Sequence, residues 1–229
     1  VARGYAAAIG ADGTLLPWNP SANSAVSAIA ISGSTIYMGG SFTTIGGVTR
    51  NYLAAIGTDG TLSSWDPNAS AAVYAIAISG SRVYVGGQFS TLNGYNRRTI
   101  VAIGTDGTLD TTWNILPNAS SQVYAIAISG STVYVGGDFT TVGSTTRNRL
   151  AALDATTGAL STTWDPNVNG TVSTIAISGT TVYAGGSFTQ INQVARNYLA
   201  AINPDGSINA TWNPSANGAV NAIAVSGST

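Results

Sequence analysis

The sequence predicts an all-β fold, a β-propeller of four-stranded antiparallel blades in five repeats of about 48 residues with one blade incomplete, on three observations. A fifteen-residue stretch, VYAIAISGSTVYVGG at 123–137, recurs in variant form at 26–40, 73–87 and 172–186, and its first half returns at 220–226. Tryptophan marks a period, because Trp18, Trp65, Trp113, Trp164 and Trp212 stand 47, 48, 51 and 48 residues apart. A fixed period of this size belongs to propellers, solenoids and arrays. No helical period of useful length runs anywhere in the chain.

Each unit reads as four strands in order. From Val123 to Ser129, small residues alternate with Tyr and Ile, the period-2 pattern of a strand. A Ser-Gly turn follows, and the Val-Tyr-Val run ending in Gly-Gly is the second arm of a hairpin. A Leu-Ala-Ala-Ile stretch such as 53–56 is the third strand, and a short strand around the Trp is the fourth. Asp-Gly at Asp59, Asp106 and Asp205, and Thr-Thr-Gly at 156–158, supply turn chemistry between these two. Hairpin-linked strands build an up-and-down sheet, and several such sheets around an axis build a propeller. The units run 26–72, 73–122, 123–171 and 172–219 within a single domain, flanked by partial repeats at 1–25 and 220–229. Joined together, the two partial repeats lack only the counterpart of 36–47, so the incomplete blade is expected to be finished by another copy or by a longer parent chain. A parallel β-helix uses shorter coils without hairpins. A WD-type blade needs a Gly-His pair, which a chain without His cannot supply.

Composition narrows the chemistry. Charged residues make up 7% of the chain, against about 25% in ordinary globular proteins. All the basic residues are Arg and all the acidic ones Asp; Lys, Glu, His and Cys are absent. A His base, a Cys nucleophile, a Schiff-base Lys and a Cys or His metal site are thereby excluded, and neither cofactor nor metal is expected. A net charge of −1 offers nothing to nucleic acid or to an anionic membrane. No apolar run approaches the ~20 residues that span a bilayer, so membrane insertion is not expected. Thr, Ser, Asn and Gly fill positions where Lys and Glu are usual, which points to an extracellular or cell-surface protein.

The residues Val-Tyr-Val-Gly-Gly at 133–137, Leu-Asp-Ala-Thr-Thr-Gly at 153–158 and the following Trp164 resemble kelch-type propellers, and more closely the bacterial secreted and surface propeller repeats of the delta-sixty type. The resemblance covers the whole chain, although four of the five units carry Ile-Gly or Ile-Asn in place of Leu-Asp. It implies that the Ala-Ile strand is innermost and the Trp strand outermost.

Several rings of residues are candidates for function. The Trp ring is read as core between sheets. The Gly-Gly pairs mark bulges or close backbone approach, since no phosphate-loop Lys or helix follows them. Arg3, Arg50, Arg97, Arg147 and Arg196 precede the third strand, with Asp12, Asp59, Asp106 and Asp205 nine residues on in four units and Asp154 seven on in the other. These guanidinium groups either converge on the channel mouth as an anion site or brace loops, with partners in neighbouring blades or on loop carbonyls. Asn68, Asn118, Asn169 and Asn209 begin Asn-x-Ser/Thr acceptors for N-glycosylation. Asp110, Asp138 and Asp154 break the repeat pattern, but nothing in the sequence groups them into the pair of carboxylates, ~5 to 10 Å apart, that a glycosidase needs. The chain is therefore read as non-enzymatic. Arg82, Arg98, Arg149, Tyr95 and Asp138 depart from their repeat equivalents, and with the Arg ring they are the expected contacts for a glycan or protein ligand. An open blade and scarce charge also favour self-association.

Overall fold

The structure is a computed structural model and describes residues 2–113, 115 and 121–226. Every regular element in it is a strand. The first unit contains β1 (Val26–Ser32), β2 (Thr35–Gly40), β3 (Thr44–Ile45), β4 (Val48–Thr49) and β5 (Leu53–Gly57). The second contains β6 (Val73–Ser79), β7 (Arg82–Gly87), β8 (Thr91–Leu92), β9 (Tyr95–Asn96) and β10 (Ile100–Gly104). The third repeats the set as β11 (Val123–Ser129), β12 (Thr132–Gly137), β13 (Thr141–Val142), β14 (Thr145–Thr146) and β15 (Leu150–Asp154). The fourth has β16 (Val172–Ser178), β17 (Thr181–Gly186), β18 (Gln190–Ile191), β19 (Val194–Ala195) and β20 (Leu199–Ile202).

Each unit forms one antiparallel blade, ordered β1-β2-β5 in the first and equivalently in the others. The leading strands β1, β6, β11 and β16 lie against one another in succession, which makes them the innermost strands. The fourth strand expected at the Trp is shortened to a single bridge, such as Ile56 with Leu62 or Ile103 with Leu109. Beyond that bridge the chain leaves the sheet and the Trp enters the space between blades. A second departure is the small hairpin β3–β4, repeated in every complete unit, where the sequence was read as connecting loop. Residue Ile45 ties it to Ala22 of the preceding unit, and Leu92 likewise to Ala69.

The core sits between blades. Around Trp113, Tyr84 and Ile100 of the second blade pack with Val123, Val133, Phe139 and Leu153 of the third. Trp65, Trp113, Trp164 and Trp212 each meet the Tyr of their own second strand edge-on, with centroids 5.0 to 5.3 Å apart. The indole Nε1 of the first four Trp donates to a backbone carbonyl of the next blade: Trp18 to Gly57, Trp65 to Gly104, Trp113 to Asp154 and Trp164 to Asn203, at 3.0 to 3.2 Å. The Gly-Gly pairs serve close approach. A Cβ on Gly136 would stand 2.6 Å from Val172 of the next blade, and one on Gly137 would collide with the Gln122 carbonyl.

Trp113 therefore combines full burial with an interblade hydrogen bond. Trp113→Phe should lower stability by about 1 kcal/mol through the lost bond, and Trp113→Ala by about 3 to 5 kcal/mol through the cavity, both read as shifts in the urea midpoint.

Candidate functional site on the Gly-Gly face

The strands give the disc two distinct faces. Val26 lies opposite Gly40, and Ser32 opposite Thr35, so the Gly-Gly ends share one face and the Ser-Gly turns the other. On the Gly-Gly face the inner strands carry a bulge, with the register shifting between Val73 and Ala75 and between Val123 and Ala125. A bulge leaves one residue without an opposite partner and re-aims its side chain. The bulged residues are Ser27, Tyr74, Tyr124 and Ser173.

Tyr74 and Tyr124 come from neighbouring blades, and their rings meet at 5.5 Å, tilted by 32°. Each hydroxyl is held by the residue after the Gly-Gly pair of its own blade, Gln88 Oε1 for Tyr74 and Asp138 for Tyr124. Asp138 also accepts from the backbone N–H of Gln122 at 2.5 Å. Burial raises both phenol pKa values above their usual level, and the negative Asp138 adds to the effect on Tyr124. Both hydroxyls remain protonated donors at neutral pH.

Farther out on the same face lies a backbone outlier repeated in every unit. Tyr5, Tyr52, Thr99, Arg149 and Tyr198 have φ between 59° and 65°, the left-handed region where non-Gly residues are uncommon. Two main-chain bonds hold it in the complete units: Tyr52 N–H donates to Phe42 and its carbonyl accepts from Gly40, and the same pairs recur at Thr99, Arg149 and Tyr198, all at 2.8 to 3.1 Å. Nothing along the chain signals this conformation, since Gly is the usual residue in it.

The Arg ring takes the bracing role. The guanidinium of Arg50 donates to the carbonyls of Thr49 and Ser63, that of Arg147 to Thr146 and Ser161, and that of Arg196 to Ala195 and Asn209; Arg3 does the same with Ala2 and Leu16. Arg97 donates to Asn96. These acceptors belong to the same unit, not to neighbouring blades. Acid partners are Asp66 for Arg50 and Asp165 for Arg147, at 3.6 and 3.0 Å. The Asp residues expected nearby instead close their own hairpins, as Asp59 does by accepting from Thr61.

Arg82 is a clamp between blades. It pairs with Asp110 at 2.6 Å and donates to the Ala155 and Thr156 carbonyls of the third blade, where the Tyr84 hydroxyl also donates to Ala155. Two of the pattern-breaking carboxylates are thus grouped after all, because Arg82 also acts on Asp154. Asp138 is not with them: Asp154 pairs with Thr132 at the far end of β12, six residues and so about 20 Å from Asp138 at ~3.3 Å per residue.

Of the other candidates, Tyr95 is exposed on β9, Arg98 is half-buried beside Thr99, and Arg149 returns one donor to the Phe139 carbonyl. Among the glycan acceptors, the Asn169 amide donates to Thr189 and accepts from Thr189 and Gln190, and Asn209 accepts from Thr211 and Trp212. Asn68 accepts from Asn51. Asn118 lies outside the described residues. Among the described residues no three His, Cys, Asp or Glu side chains are placed to hold a metal ion.

A family profile described as the Rax2 C-terminal beta propeller domain matches residues 108–229, just over half of the chain. A second, a domain of unknown function (DUF5122) described as a beta-propeller, matches 35–62 and 81–112. No curated protein matches. Among solved structures, the computationally designed Ika4 protein is 17% identical with a TM-score of 0.53, over 79% of this chain and 92% of that one. The Pan2 WD40 domain of Neurospora crassa is 11% identical with a TM-score of 0.53, over 80% of this chain and 48% of that one. Likeness at these identities is of fold alone, and it agrees with the propeller.

Two measurements follow from this geometry. Thr99 is β-branched, buried and left-handed, so Thr99→Gly should raise stability by about 1 kcal/mol. Asp12, Asp59, Asp106, Asp154 and Asp205 are held below their usual pKa by hydrogen bonds from Thr or Ser. At Asp110 burial works upward, but bonds from Thr112 and Trp113 and the charge of Arg82 outweigh it. Depressed carboxylates stabilise the fold above the unfolded value of about 3.9 and lose that effect as pH falls toward the folded value. With no His in the chain, the urea midpoint should be flat from about pH 5 to 8 and drop only below about pH 4.

Proposed function

The chain belongs to the family of Rax2 C-terminal β-propeller domains, and on that premise we propose that it is a non-enzymatic binding module of a secreted or cell-surface protein, holding a glycan or a protein segment over the channel mouth of its Gly-Gly face. The observation that carries this reading is the Tyr74–Tyr124 pair with Gln88 and Asp138. Repeated positions serve the shared architecture, whereas these four residues differ from their Ser equivalents at Ser27, Ser173, Ser41 and Ser187 on adjoining blades. Adjacent aromatic faces stack on sugar rings or apolar side chains, and protonated phenols with a carboxylate and an amide match the hydroxyls of a neutral sugar. Asp138 lies apart from Asp110 and Asp154, so neither of these stands beside the Tyr74–Tyr124 pair as a second carboxylate, which favours binding over glycoside hydrolysis at that place. The likeness of the repeats to delta-sixty and kelch blades supports the surface location.

The binding reading is tested on arrays of neutral oligosaccharides and of extracellular proteins. Tyr124→Ala and Asp138→Asn should each weaken a captured ligand about tenfold or more, with unchanged Trp fluorescence. Ligands indifferent to both substitutions would place binding elsewhere on the disc.

A further inference from the structure

A cleft between the third and fourth blades, on the Gly-Gly face, breaks the repeat at three positions together. Its floor is shared architecture, since the Asn148 amide donates to the Asn167 side-chain oxygen at 2.7 Å, as Asn51 does to Asn68 in the first unit at 2.9 Å. Its walls are not shared. Arg149 stands where Tyr52, Thr99 and Tyr198 stand in the other complete units, Gln190 replaces Thr44, Thr91 and Thr141, and Gln193 replaces Gly47, Gly94 and Ser144. Gln193 keeps a left-handed φ of 65°, a region that Gly47 and Gly94 occupy without strain at 81° and 80°. All three departing side chains line the same cavity of about 280 Å³.

These walls carry open hydrogen-bonding groups. The half-buried Arg149 guanidinium donates once, from Nη1 to the Phe139 carbonyl at 3.2 Å, and its other N–H groups have no acceptor among the described residues. By contrast Arg147, two residues away, reaches Thr146, Ser161 and Asp165. The side chains of Gln190 and Gln193 are exposed and have no hydrogen-bond partner among the described residues. No carboxylate answers the Arg149 charge. Five of the nine Asp residues close their own hairpins, namely Asp12, Asp59, Asp106, Asp154 and Asp205. Asp66, Asp110 and Asp165 pair with Arg50, Arg82 and Arg147, and Asp138 holds the Gln122 N–H and the Tyr124 hydroxyl.

We propose that this cleft binds an acidic sugar through its carboxylate, a uronic-acid residue of a polysaccharide. The planar guanidinium fork gives a carboxylate two parallel charge-assisted bonds. One guanidinium with no second cation in the lining matches a single negative charge, not a phosphate dianion or a sulfated chain. Gln190 and Gln193 each offer donors and an acceptor, the combination that ring hydroxyls need. Val168 is the one apolar residue in the lining and is buried, so the cleft has no apolar seat for the neighbours of an acidic side chain in a peptide. Its volume lies just below the ~300 Å³ at which pockets for drug-sized ligands begin, which suits one sugar unit. The site is separate from the Tyr74–Tyr124 pair and does not rest on it.

The test is titration of the isotope-labelled full chain with trigalacturonate, read by NMR at the Arg149 Nε and the Gln190 and Gln193 side-chain amides. The expected result is saturable shifts at these groups with a Kd of about 1 mM or tighter. The methyl ester of the same trisaccharide lacks the charge and should bind at least about tenfold more weakly. Arg149→Tyr, which installs the residue of the first and fourth units, should weaken the acid by the same factor, whereas Tyr124→Ala should leave it unchanged. Because the ester comparison leaves the chain untouched, a folding defect in either variant cannot decide the outcome. The cleft is overturned by shifts absent from these side chains, by equal binding of acid and ester, or by an Arg149→Tyr chain that folds and binds as the parent does. A blocked Gly-Asp-Gly peptide that binds as tightly as the sugar overturns the sugar assignment, and loss of binding in Tyr124→Ala alone places the acid at the aromatic pair instead.

Discussion

Everything in this structure depends on the contact between one blade and the next. A three-stranded blade has two apolar faces and cannot bury either alone, so its stability is that of a stack. Two devices bring the blades together. Trp18, Trp65, Trp113 and Trp164 each cross the gap and are fixed by a neighbour's carbonyl, and the Gly of each second strand lets the Val and Ile of the following inner strand approach its backbone. One device adds volume and the other removes it, so an interface is filled only when both are in register. The Tyr edge against the Trp ring orients the indole toward its acceptor.

The repeated contacts explain which parts of the molecule were legible in its sequence. Period, strand order and hairpin turns depend on local alternation and on Gly positions, and both are plain along the chain. The buried role of Trp113 and the close approach at Gly136 were legible for the same reason. The fourth strand was not, because TLSSW has the look of a strand but its Trp is drawn sideways into the interblade space, which ends the ladder after one bridge. The β3–β4 hairpins were missed because two-residue strands have no periodicity to read. The Arg ring left two readings open, and only geometry could show each guanidinium turned onto carbonyls of its own unit.

The candidate site was partly legible. Asp138 stood out as a departure from Ser, but Tyr74 and Tyr124 were hidden inside the alternating pattern of the inner strand. Their prominence comes from the bulge, a three-dimensional event that a period-2 reading cannot register. Conversely, Arg82 and Asp110 departed from their repeat equivalents for an architectural reason, since the third unit carries a longer turn at 154–158 whose carbonyls need a donor.

The left-handed position at the head of the third strand is held in the complete units by two main-chain bonds, to the Phe carbonyl before it and from the Gly amide beside it. Tyr, Thr and Arg occupy it interchangeably without altering either bond. Such a position works as a socket. The fold fixes the backbone there but not the side chain, which ranges from buried Thr99 through half-buried Tyr52 and Arg149 to exposed Tyr5, so its identity changes from blade to blade while the stack beneath is unchanged.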